Sequence, residues 1–253
     1  MSMFKKLTTD GLEAKKDTLG GGTVVRESGV YLATVETAFA GESSGGAMNV
    51  TVIYKMEDGS EFRDTQYITS GRDKGQKNYY EKDGKQIPLP GFSVIDDLCI
   101  LTTESPLSEQ DTTERVIKLY DFDAKKEVPT SVQCLSELEG KQVLIALQKV
   151  VDNKTKKNDA TGEYEKHNEK REYNEVAKLF HAELKLTVVE AINGQEATFH
   201  DAWLKKNEGK DRVKFEEVAA TGVAGAPKRA SAPPVAGNAP VAKTGTGLFG
   251  KKS

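Results

Sequence analysis

From Gly29 to Met56 two sets of apolar residues recur at alternate positions. Tyr31, Ala33, Val35 and Phe39 share one parity before the turn Gly41–Gly46, and Met48, Val50, Val52, Tyr54 and Met56 share one after it. A period of two is the pattern of strands that bury one face against a core. Asp58-Gly59 has the chemistry of a hairpin turn and delivers the chain into a third strand beginning at Glu61. Three consecutive antiparallel strands make a meander.

The segments that follow add to this sheet. Within Phe92–Thr103, Val94, Ile95, Leu98 and Leu101 are helically spaced behind Ser93 as N-cap, which predicts a helix across one end of the sheet. Strands resume at 114–122 and 127–134 about a polar turn, and Ser136-Glu-Leu-Glu139 carries the signature of a capping box. Val143–Val151 is apolar on both parities at its start, as the central strand of a small closed barrel would be. Residues 174–184 fit a strand through Val176, Phe180, Ala182 and Leu184, and also a helix through Val176, Leu179, Phe180 and Leu184. Strand is favoured, because Thr187-x-x-Glu190 opens a fresh helix just downstream. Helices are expected at 188–192 and 195–207, the second holding the only tryptophan, Trp203.

A chain of 253 residues supports one good core with a tail, or two small domains. The fold expected is mainly β with short helices: an oligonucleotide-binding (OB) fold, a five-stranded Greek-key barrel with extended hairpin arms. Residues 1–26 read as an N-terminal extension, 27–218 as the folded body and 219–253 as a disordered basic tail. That tail is rich in Ala, Pro, Gly, Ser and Thr, a composition that buries too little apolar surface to offset chain entropy. It carries five cations and no acid (+5), leaving 31 basic against 39 acidic residues elsewhere (−8). A local basic track, and not the total, decides whether a protein binds nucleic acid.

Such a track lies between Glu61 and Phe92. Arg63, Arg72, Lys74, Lys77, Lys82 and Lys85 alternate there with Phe62, Tyr67, Tyr79, Tyr80 and Phe92. Cations interleaved with aromatics on a hairpin can follow a phosphate backbone while stacking unpaired bases, the requirement of a single-strand binder. Phe62 and Phe92 are expected to anchor the core, Arg63 and Tyr67 to project from a strand, and Arg72–Lys85 to form an arm. Tyr67, Tyr79 and Tyr80 are then the base contacts and the lysines of the arm the phosphate contacts. A second polar arm spans Asp152–Tyr173, where Lys154, Lys156 and Lys157 accompany Tyr164 among nearly as many acids. It reads as a solvated hairpin, or as a finger that clamps a strand against the barrel.

Other chemistries find little support. Gly20-Gly21-Gly22 lacks the ending of a P-loop and reads as a joint. Cys99 and Cys134 are too far apart in sequence for a metal knuckle or redox pair and are expected to be buried thiols of a reducing compartment. His167, His181 and His200 are scattered, and Asp96-Asp97 reads as a solvated helix face, so no metal or cofactor is expected. A nuclease would need converging carboxylates or a histidine with a metal; a non-enzyme without a small-molecule substrate is expected. No apolar run approaches the roughly 20 residues of a membrane helix, and MSMFKKLTTDGL is not a secretory signal.

FKKLTTDGLE near the start, GGAMNVTVIY, IPLPGFSVIDDLC with its continuation LTTESPLSEQ, and KLFHAELKLTVVEA near the end together resemble a bacteriophage single-stranded DNA-binding protein of the N4-like type. The similarity spans Phe4 to about Lys210. It implies an OB fold, cooperative coating of single-stranded DNA in phage replication, recombination and repair within the host cytoplasm, and a tail that recruits partners. One departure matters: many bacterial and phage single-strand binders end in an acidic tip, whereas Leu248, Phe249, Lys251 and Lys252 make this tip apolar and basic. It should seek an acidic surface on a replication or recombination protein, or on a polymerase, RNA polymerase included, or contact DNA itself. A recombination mediator or annealing protein, or a transcription co-activator acting through the tail, is compatible with the same residues.

Overall fold

The structure, a computed structural model, describes residues 24–121, 124–159 and 161–218. The N-terminal extension to residue 23, the Gly20–Gly22 joint and the tail with Leu248, Phe249, Lys251 and Lys252 lie outside the described residues. The chain divides into two units, Met1–Glu217 and Val218–Ser253.

The body is built mainly of strands. β1 (Gly29–Glu42), β2 (Met48–Met56) and β3 (Glu61–Tyr67) form the expected meander, followed by a small hairpin of β4 (Tyr79–Lys82) and β5 (Lys85–Pro88) and by α1 (Pro90–Thr103). Then come the hairpin β6 (Thr113–Asp121) and β7 (Lys126–Cys134), and the long ribbon β8 (Gln142–Lys157) and β9 (Tyr164–His181). Two short helices, α2 (Val188–Ile192) and α3 (Phe199–Asn207), and the two-residue strand β10 (Arg212–Val213) complete it. Residues 174–181 are therefore strand.

Strand order is β3-β2-β1-β8, with β9 on the outer side of β8. A fourth strand returning beside the first of a meander is the Greek-key order. The expected closed barrel does not form: among the described residues β3 pairs only with β2, and β9 only with β8. α1 packs against β3, β8 and β9, and its Ile95, Leu98, Cys99 and Leu101 join Val35, Val50, Val52, Tyr54, Ile145 and Leu179 in the main core. The curled sheet is thus filled by a helix where a barrel would have been closed by a further strand pair.

β8 is apolar on both parities because both of its faces are covered. Val143, Ile145 and Leu147 enter the main core, while Ala146, with Leu144 beside it, packs with Phe180 and Trp203 in a second cluster beneath α3. Its edge is shared in turn by β1, through Leu147 opposite Gly29, and by β10, parallel at Val150 and Val151. Ser28 ties this junction together, donating to the Lys210 carbonyl (2.7 Å) while accepting from the Lys149 N–H (2.9 Å).

Local expectations meet the structure unevenly. The box at Thr187 and Glu190 forms as written. Ser136–Leu138 is a single 3₁₀ turn without a side-chain cap, because Glu139 accepts instead from Thr37 (3.0 Å) and from Arg115. α1 starts at Pro90 with Leu89 as N-cap, so Ser93 lies inside the helix, and α3 starts at Phe199 instead of Gln195. Asp96 and Asp97 are not a solvated face: Asp96 accepts the Leu107 N–H (2.8 Å) and Asp97 pairs with Lys178 at 2.7 Å.

Candidate nucleic-acid interface

A β-bulge at Glu36 decides what the meander shows to solvent. Pairing of β1 with β2 shifts between Val35 and Thr37, so core-facing parity passes from Ala33 and Val35 to Ala38. Phe39, expected in the core with Tyr31, Ala33 and Val35, is carried to the opposite face, where it is still buried, at 5% exposure, beside Cys134. There the strands align three rows: Thr37, Ile53 and Arg63; Phe39, Thr51 and Thr65; Gly41, Asn49 and Tyr67. The Arg63 guanidinium lies 5.7 Å over the Phe39 ring, a cation–π contact that holds its charge at the surface. Phe62, on the other parity, is buried in the core as expected.

Tyr67 ends the third row and is 53% exposed. Beside it opens a groove of about 510 Å³ bordered by Tyr67, Gly71, Lys74, Pro90 and Gly91. Two close backbone approaches shape it. A Cβ on Gly91 would stand 2.3 Å from the Tyr67 carbonyl oxygen, and one on Gly71 would stand 2.9 Å from that of Gly45. Only glycine lets α1 start against β3, and lets the root of the arm settle on the β1–β2 turn. The Arg72 N–H donates to Gly45 (2.9 Å) and the Gln76 side chain to Gly46 (2.6 Å), fixing that root. The N–H groups of Gly91 and Phe92, in the first turn of α1, are without intrahelical acceptors at this end of the groove.

The arm separates its cations into two kinds. Arg72 pairs with Glu42, and Lys77 lies 3.9 Å from Glu81 and 5.4 Å over the Tyr79 ring. Among the described residues Arg63, Lys74, Lys82, Lys85 and Lys157 have no carboxylate at ion-pair distance. Lys82 and Lys85 stand opposite each other at the hairpin tip, across the left-handed turn Asp83-Gly84. Like charges directly opposed destabilise a strand pair, unless an anion lies between them. Tyr79 and Tyr80 are consecutive in β4, so their rings take opposite faces of the hairpin. They do not form one stacking surface, and Tyr80 is the more exposed of the two.

The second arm is the outer half of the β8–β9 ribbon. Glu169 accepts from both Lys154 (3.3 Å) and Lys156 (2.9 Å), and Asp152 pairs with Arg171 (3.4 Å). The two lysines hold the Glu169 carboxyl below its usual range. Lys157 stands opposite Tyr164, which is 72% exposed. The ribbon is therefore largely self-neutralised, with one cation and one aromatic presented at its end.

Elsewhere the titratable groups have structural partners. Burial, with Asp96 nearby, pushes the Cys99 thiol up to about 12, so it stays protonated and is a poor nucleophile. Cys134 is buried as a free thiol on the Phe39 side of the sheet. His200 bonds Asp201 (2.7 Å) and packs edge-on against Phe180. Among the described residues no group of three or more His, Cys, Asp or Glu could hold a metal ion, and no helix is long and apolar enough to cross a membrane. No protein-family model matches the chain, and no curated protein matches its sequence.

Sequence reasoning singled out Arg63, Tyr67 and Lys74 but not Ile53 and Asn49, which share the Tyr67 face of the sheet, nor the turn of Phe39 away from the main core, whose one sequence signal is the run Ala38-Phe39-Ala40, apolar on both parities.

Proposed function

We propose that this protein binds single-stranded DNA without regard to sequence, seating bases on the exposed β3 side of the meander, at Arg63, Thr65 and Tyr67, and phosphates along the arm that follows it. One observation carries the reading: half-exposed Tyr67 and the unpaired ammonium of Lys74 border one groove, at the end of a row that also holds Asn49. A ring that can stack and a cation that can meet phosphate are placed within one nucleotide's reach. The Greek-key order and the end-on helix support an OB fold opened between β3 and β9. OB folds take their ligands on the face of their second and third strands and on the loop between the first two. Here that loop supplies Gly45 to the groove.

The tip Leu248, Phe249, Lys251 and Lys252 is proposed to dock on an acidic surface of a replication or recombination protein or a polymerase, a role in keeping with its apolar pair and two cations.

The test is fluorescence anisotropy with labelled oligo-dT, a mixed single strand and a duplex. Equal affinity for the two single strands, weak duplex binding and no cleavage with magnesium are expected. Tyr67→Ala should weaken binding by about 1–3 kcal/mol with the salt slope unchanged, and Tyr67→Phe should retain it. Lys74→Gln should reduce the salt slope by about 0.7, the increment of one phosphate left without its cation. Duplex bound as tightly as single strands, or Tyr67→Ala binding like the parent, would sink the reading.

A further inference from the structure

We propose that the β6–β7 hairpin is a self-association element, in which the β6 edge pairs antiparallel with the β6 edge of a second copy of this chain, centred on Val116. The inference does not depend on DNA binding. Among the described residues the hairpin pairs with the rest of the sheet only at its base, where β7 meets β1 at Phe39 opposite Cys134 and Ala40 opposite Gln133. Beyond that point it is a two-stranded ribbon, and β6 pairs only with β7 among the described residues. Such a ribbon is marginal alone, and an unpaired edge is a template for another strand.

The direction of the edge groups follows from one bond. The Leu135 N–H donates to the Ala38 carbonyl at 2.9 Å, which turns Leu135 and Gln133 toward β1 and Cys134 and Val132 toward β6. Antiparallel pairing alternates, so Thr113, Arg115 and Ile117 bond β7, while Glu114, Val116 and Lys118 turn their N–H and C=O groups outward. Pro129, opposite Lys118, agrees with this phase, since its missing N–H belongs to the side away from β6.

The side chains then select the register. Centred on Val116, which is 69% exposed, the pairing sets valine against valine and each Glu114 opposite the partner's Lys118. Centred on Ile117 it would set Val116 against an ammonium group, and centred on Lys118 it would oppose two ammonium groups. On the face that carries Val116 only the first register matches apolar with apolar and acid with base, because like charges directly opposite destabilise a pair; on the other face it sets Ile117 opposite the partner's Arg115, whose charge is already met by Glu139. Ser131 donates to one oxygen of Glu114 at 2.5 Å, which leaves the other for the partner's lysine. The pairing is two-fold and closes at a dimer of four continuous strands, β7-β6-β6-β7.

Sedimentation equilibrium of the full chain, free of DNA and over a range of concentrations, tests this. A monomer–dimer equilibrium is expected. Val116→Pro should abolish it with circular dichroism and melting unchanged, because the outward N–H of Val116 is not used by the β6–β7 ladder. Glu114→Lys and Lys118→Glu should each weaken the dimer by roughly tenfold or more, and an equimolar mixture of the two should recover it as a heterodimer. A chain that stays monomeric throughout, a dimer untouched by Val116→Pro, or a mixture that fails to recover overturns the proposal. Loss of single-strand binding in Val116→Pro with the dimer intact would overturn it too, and assign the ribbon to DNA.

Discussion

Tyr67 owes its position to a residue with no side chain. Gly91 abuts its carbonyl, so the ring, the groove and the start of α1 are set by one backbone contact. Gly91→Ala should lower stability by about 1–3 kcal/mol, since a Cβ there must push helix from strand. A denaturant titration should show the loss, and the same variant should bind single strands more weakly although it touches no ligand. The tyrosine itself was legible in the sequence from its cationic neighbours. Phe39 was not, because its face depends on a bulge at Glu36, and a single inserted residue reverses every side chain beyond it. Arg72 was legible as a cation, but its partner Glu42 lies thirty residues earlier, at the end of β1, and could not be read from spacing.

Capping of α2 and α3 shows what local patterns can specify. Burial opposes ionisation of Glu190, but N–H groups of Thr187, Phe199 and Thr198 and the Thr187 hydroxyl outweigh it and hold the carboxyl at about 2, below its ordinary 4.5. A depressed carboxylate contributes stability above its unfolded value, and the contribution is lost as pH falls through the folded one. Stability should therefore fall between about pH 4.5 and pH 2, and Glu190→Gln should remove part of that slope. Trp203 fluorescence reads α3 directly, being the only tryptophan. Asp58, also held at about 2 by Arg26 and Ser60, titrates in both proteins, so the difference isolates Glu190. The Thr187 box was legible because every participant lies within a few residues, whereas Glu139 was drawn away from Ser136 by Thr37 and Arg115. On the second arm, Glu169→Gln frees Lys154 and Lys156. If the ribbon contacts DNA, affinity should rise with a steeper salt dependence, while an unchanged salt slope would assign the ribbon to solvent.

Across the molecule, charge and topology were legible to different depths. The meander, the helix after it and the long late strands follow from periodicity, which is local. Closure of the barrel does not, since it depends on whether β3 and β9 meet, and α1 stands between them. Removing residues 248–253 takes away two of the five tail cations and both large apolar side chains. Affinity for single strands should be nearly unchanged in anisotropy, and, if the tip docks on an acidic protein surface as proposed, capture of such a partner by the full chain should be lost. A large fall in DNA affinity would instead make the tip a DNA contact.

The chain leaves the body along β10 and the residues just after it. The Lys214 N–H donates to Val151 (2.8 Å), and Asn153 is bonded both to Glu216 (2.8 and 2.9 Å) and to the His167 carbonyl of β9 (2.9 Å). Because β10 runs parallel to β8, tension applied beyond Glu217 loads these bonds at the root of the second arm before it reaches the sheet. If the tail holds a partner as proposed, a pull on it would therefore reach first the ribbon that carries Lys157 and Tyr164.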